Sequence, residues 1–147
     1  MFIEEINTYD RRQARQFLEF PFIVYKDCEQ WVPMLEVDAR KFLDCDRFFY
    51  YRESDAAFCM IFSEKYQPIG WIAVLDNRLY NHYNHSNTAF FYLFEILEDF
   101  EAAKLLFNAA MSWAKGRGLA EMIEPKGITA LNGLGILTRG FEHRPAL

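Results

Sequence analysis

The chain has 147 residues and a mass of 17.5 kDa, enough for one ordinary domain and too short for two independent cores. Hydrophobic residues at 52% against 25% charged exclude a mainly disordered chain. A net charge of −5 argues against general phosphate-backbone binding, so no nucleic-acid partner is expected.

Phe2 to Ile6 alternates apolar and polar residues and reads as a first strand. Thr8 is expected to cap a helix running to about Phe20, with Arg11, Arg12 and Arg15 on its solvated side and Pro21 stopping it. Trp31-Val32-Pro33 is expected to open a second helix, with Met34, Val37, Ala39 and Phe42 as an irregular apolar stripe. Phe48-Phe49-Tyr50-Tyr51 cannot all point inward from one element, which favours self-association into a homo-oligomer.

Phe58 to Phe62 and Ile69 to Leu75 flank the Tyr66-Gln67-Pro68 turn and read as a hairpin. Asp76 to Ser86 is expected to be a polar loop, and Thr88 to Leu97 a central strand covered on both faces. The clearest helix spans Asp99 to Lys115, its apolar stripe read as Phe100, Ala103, Phe107, Ala110 and Ala114. Acidic residues gather at its start and Lys115 and Arg117 at its end, as the helix dipole favours. Glu121 to Glu124 is a short strand, and the glycine-rich stretch to Gly140 leaves room for one short helix. The order β, α, α, β, β, β, α, β, short α is a mixed α/β pattern with a strand-helix-strand crossover near its end.

Cys28, Cys45 and Cys59 are odd in number, fit no zinc or redox spacing, and read as reduced thiols of a cytoplasmic protein. No secretory leader is read at Met1-Phe2-Ile3-Glu4-Glu5. The longest apolar run, Ala56 to Phe62, is too short to span a bilayer, so no membrane partner is expected. His82 and His85 have the spacing of two zinc ligands but no clear third beside them, so no metal is expected. Gly133-x-Gly135 lacks the third glycine and the following acid of a dinucleotide loop. Cys59 lies inside an apolar run without a nearby histidine and reads as an inert buried thiol. From Lys104 onward six basic residues face three acidic ones, a balance that attracts an anion or is ordinary surface. Glu95 stands out as one carboxylate within Phe90-Phe91-Tyr92-Leu93-Phe94-Glu95-Ile96-Leu97. Burial there raises its proton affinity and suits a general base; the other reading is a strand-end carboxylate that is solvated or paired with arginine.

The element order resembles that of the GNAT superfamily of N-acetyltransferases. So do Phe17-Leu18-Glu19-Phe20-Pro21-Phe22, Trp31-Val32-Pro33, the hairpin at Gly70, Trp113-Ala114 before Gly118, and Gly135-Ile136-Leu137 before Gly140-Phe141-Glu142. These pieces resemble an uncharacterised bacterial GNAT-like group and are spread over nearly the whole chain. The resemblance implies one GNAT-like acyltransferase domain over residues 1–147, with a mostly antiparallel central sheet and helices on both faces. Acetyl-CoA or another acyl-CoA would lie in the splay between the fourth and fifth strands. Glu95 would deprotonate a small-molecule amine, and the backbone near Leu97 would polarise the thioester. Asp99 and Phe100 occupy the segment that meets the pyrophosphate, and Asn132 would meet the pantetheine arm or cap a helix.

Three features depart from the pattern. Glu98-Asp99-Phe100-Glu101-Ala102-Ala103 stands where the family carries a glycine-rich pyrophosphate loop. Leu137 and Thr138 stand where many members have a tyrosine acid. Two last strands are missing, so a longer protein or a partner chain is expected to complete the sheet. The alternative reading is a non-catalytic ligand-binding or protein-interaction module with a degenerate CoA site.

Overall fold

A computed structural model describes residues 1–125, 135–136, 139–140 and 142–143. Strands β1 (Phe2–Glu5), β2 (Ser54–Phe62), β3 (Pro68–Asn77), β4 (Thr88–Ile96) and β5 (Glu121–Pro125) form one sheet in that order. Every neighbouring pair is antiparallel except β4 and β5, which run parallel. Helix α1 is Arg11–Val24, α2 is Glu36–Leu43, α3 is Arg78–Asn84 and α4 is Phe100–Gly116, with a 3-10 turn over Phe49–Glu53.

The sheet is covered on both faces, as the aromatic run of β4 requires. On one face Phe17 and Phe20 of α1 pack with Phe58, Met60, Trp71 and Tyr92. On the other, Ala102, Leu106, Ala110 and Ala114 of α4 pack with Ile61, Ile72, Val74 and Phe91. The α4 stripe departs from the expected one at its start, while Ala110 and Ala114 are buried as expected. Ala102, not Ala103, is buried, and Phe100 is 81% exposed. Small residues four apart let α4 lie close on the sheet. The helix ends in a Schellman turn. Gly118 takes φ +77°, its N–H donates to Lys115 O, and the N–H of buried Leu119 donates to Ala114 O. That turn redirects the chain into β5 beside β4.

Four local expectations give way. Helix α1 runs through Pro21 to Val24, and the Tyr25 N–H still closes on Pro21 O at 2.9 Å. Proline forfeits its own bond, but Phe17 and Phe20, both fully buried, hold the turn against the sheet. Its cap is Asp10 rather than Thr8, with Oδ1 accepting from Arg12 and Gln13 N–H at 2.8 and 3.0 Å. Helix α2 starts at Glu36, beyond Pro33, and Asp76 to Ser86 contains α3. That helix is capped by Asn77, whose Oδ1 accepts from Tyr80 N–H at 2.9 Å. Of the four consecutive rings, Tyr51 is buried and Phe49 is 58% exposed.

Candidate functional site

Two irregularities of β4 build the site. The first is a bulge: Glu95 pairs with Trp71 and Tyr92 with Ala73, so Leu93 and Phe94 together oppose Ile72. Leu93 carries the turn at φ +49°, a conformation a leucine adopts only where its surroundings impose it. Before the bulge, Phe90 and Tyr92 face α1 while Ala89 and Phe91 face α4; after it, Phe94 and Ile96 face α4. Glu95 therefore sits across from Trp71 on the α1 face. Without the bulge, strand alternation would send it to the α4 side. The second irregularity is an early parting. β5 pairs with β4 from Thr88 only as far as Phe91, so the rest of β4 has an open edge among the described residues. Leu97 N–H donates to Ile69 O at 2.9 Å, so by alternation the Ile96 N–H faces away from β3, toward that open edge.

Glu95 lines a cleft of about 1260 Å³ between α1, α2 and the end of β4. Its Oε2 is buried without a hydrogen-bond partner among the described residues, as is Nε1 of Trp71 across the strand. Burial raises the carboxyl pKa from 4.5 to about 7, and the Tyr25 hydroxyl beside it offsets part of the rise. Tyr25 in turn is pushed up to about 12, first by burial and then by the charge of Glu95. It stacks on Trp31 at 5.1 Å, and Trp31 meets Phe22 edge-on at 5.0 Å.

Leu97, Asp99 and Phe100 lie together at the start of α4, just beyond the open edge. Leu97 is 40% exposed and its N–H is already engaged by Ile69. Asp99 caps the helix, Oδ1 accepting from Ala102 N–H at 2.9 Å, so one of the free donors there is spent on a carboxylate. Asn132, Leu137 and Thr138 lie outside the described residues.

Other candidates stay apart. Cys59 is buried and its thiol is pushed up to about 12 by burial, then by Glu5. Of the α1 arginines, Arg15 reaches the rim of the cleft, where it pairs with Glu19 at 2.7 Å. His82 lies within α3 and His85 caps it, and no group of three His, Cys, Asp or Glu among the described residues could hold a metal. No helix among the described residues is long and apolar enough to cross a membrane. Two contributors to the cleft escaped the sequence reading. Tyr25 sits one turn past Pro21 with no motif to mark it, and nothing within Ile69 to Leu75 singles out Trp71; the β3–β4 register sets Trp71 across from Glu95, and Tyr25 lies beside that carboxyl.

No family model matches the sequence. Protein YghO of Escherichia coli strain K12 is 22% identical over 138 residues, 92% of this chain and 34% of YghO, so the chain spans about a third of that relative. Among solved structures, a GNAT-family acetyltransferase from Staphylococcus aureus Mu50 superposes with a TM-score of 0.54 at 16% identity, over 80% of this chain and 68% of that one. The chain has the GNAT acetyltransferase fold. A candidate acetyl transferase from Pyrococcus furiosus agrees at a TM-score of 0.51 and 12% identity, over 83% of this chain and 79% of its own. At these identities the likeness covers the fold and leaves the chemistry to the residues.

Proposed function

We propose that the chain transfers an acyl group from an acyl thioester to an amine, with Glu95 as the general base. The observation that carries this reading is a carboxyl of raised proton affinity, unpartnered at Oε2, at the end of β4 beside an open strand edge. A base with a pKa near 7 is ionised often enough at neutral pH to accept a proton and basic enough to drive its transfer. Glu95 takes the proton that the amine loses as its nitrogen bonds to the acyl carbon. The carbon–sulfur bond breaks, and the departing thiolate takes a proton from water. The Ile96 N–H on the open edge is placed to stabilise charge developing on the acyl oxygen.

Acyl-CoA is the donor the fold suggests, and the chain fits it unevenly. The open edge of β4 suits the thioester end. The start of α4 suits a diphosphate poorly: it has no glycine, its Ala102 N–H is taken by Asp99, and Glu98 and Glu101 add like charge. That misfit favours the second reading, a ligand-binding module with a degenerate donor site. The three free thiols, Cys28, Cys45 and Cys59, support placing the protein in the cytoplasm. The exposed Phe49 ring supports a homo-oligomer, which light scattering checks. The test of the function is thiol release from acetyl-CoA and longer acyl-CoAs, with and without an amine panel, using the wild type and Glu95→Gln. Amine-dependent release that falls at least a hundredfold in the variant supports transfer. Saturable ligand binding without release from any thioester leaves the module.

A further inference from the structure

The cleft also specifies its amine. We infer that it selects a primary amine on an apolar, ring-bearing body, with one oxygen acceptor close to the nitrogen and no second charge. This rests on the acyl-transfer reading, since the ligand is the acceptor of that reaction.

Three observations carry it. The walls are mainly aromatic and aliphatic, including Phe22, Trp31, Val32, Met34 and Phe42. Rings of this kind reward a flat apolar body and offer little to a chain of polar groups. The charges of the lining are almost all spent. Arg15 pairs with Glu19 and Arg40 with Glu36, each at 2.7 Å and largely exposed at the rim. Glu95 is left, among the described residues, as the charged lining group without a counter-ion. One ammonium satisfies it, and a second cation or a carboxylate on the ligand finds no free partner.

The third observation is the indole of Trp71. It is 4% exposed, yet its N–H has no acceptor among the described residues. An unmade hydrogen bond of this kind is costly, and a native interior rarely leaves one without a use. Trp71 and Glu95 are direct cross-strand partners, so their Cβ atoms stand about 5 Å apart. A donor and an acceptor carried on such neighbouring side chains suit an amine and an oxygen on one small ligand. Neither atom is open to water, so Tyr25, which lies beside the carboxyl and stacks on Trp31, is the side chain that must yield.

The test is calorimetric binding without any thioester. Phenylalaninamide carries all three features; 3-phenylpropanamide lacks the amine, 2-phenylethylamine the oxygen and alaninamide the ring. Phenylalaninamide is expected to bind tenfold or more tightly than each of these and than spermidine. Glu95→Gln should erase the preference over 3-phenylpropanamide and spare the one over alaninamide. Trp71→Phe should erase the preference over 2-phenylethylamine; if that variant fails to fold, the wild-type comparison of those two ligands tests the same contact. Spermidine binding best, no probe binding at millimolar concentration, or Glu95→Gln keeping the amine preference would overturn the inference. The expected pattern without transfer from any thioester keeps the ligand class and removes the acyl-transfer reading. Transfer to spermidine but not to phenylalaninamide does the reverse.

Discussion

Replacing Glu95 with glutamine is expected to stabilise the protein at alkaline pH. In the fold the carboxyl titrates near 7 instead of 4.5 because burial penalises its charge. The folded chain therefore holds a proton there that the unfolded chain releases. The stability this provides is fully present below about pH 4.5 and is lost as the pH rises through about 7. A tenfold change in proton affinity is worth about 1.4 kcal/mol; with part of the carboxyl screened by solvent, the loss comes to about 2–3 kcal/mol. Glutamine has the same shape and never ionises. At pH 8 the variant should melt roughly 5–10 °C above the wild type, and the gap should close toward pH 4.5. Thermal unfolding followed by circular dichroism from pH 4.5 to 8.5 reads this directly. A gap that does not change with pH, or a less stable variant at pH 8, would mean that a cation pairs with the carboxylate and that the burial argument is wrong.

Gly70→Ala should destabilise by about 1–3 kcal/mol and disturb the site, because an added Cβ would sit 2.9 Å from Ile96 Cγ1 and 3.1 Å from the Glu95 carbonyl oxygen. Denaturant unfolding gives the size, and a wild-type midpoint would remove the close approach from the account. Glu98→Gln with Glu101→Gln should tighten acetyl-CoA binding several-fold at low salt, the gain shrinking as salt is added. Calorimetry that shows no gain would mean the diphosphate lies elsewhere. Cys59 should react with a thiol reagent at pH 8 only as fast as the protein opens, since its thiol is buried and held near 12. Rapid labelling of Cys59 in the native state would contradict its placement in the core.

Most of the element order was legible because the hydrophobic period marks the strands and α4, while the expected caps of α1 and α2 and the loop around α3 gave way. The apolar stripe of α4, the acids at its start and the two-faced apolarity of β4 each mark a feature that the structure carries. The face of Glu95 was not legible. It depends on the bulge at Leu93, and a leucine at positive φ leaves no trace where glycine or asparagine would have signalled the turn. Helix α3 was readable from Asn77 as a cap, but the polar run around it has the composition of a loop. The length of α1 turned on Pro21. Its local effect opposes a helix, and the burial of Phe17 and Phe20 outweighs it. The cleft belongs to tertiary structure: the β3–β4 register sets Trp71 across from Glu95, and the stacked pair Tyr25 and Trp31, distant from both in sequence, packs beside that carboxyl.

The most direct test is the rate of amine-dependent thiol release from an acyl thioester, wild type against Glu95→Gln, across pH 5.5 to 8.5. The account predicts a wild-type rate that climbs with pH about a midpoint near 7, as the carboxyl ionises, and a loss of at least a hundredfold in the variant. An equal rate in the variant, or a wild-type profile with no inflection near 7, would contradict Glu95 as the base.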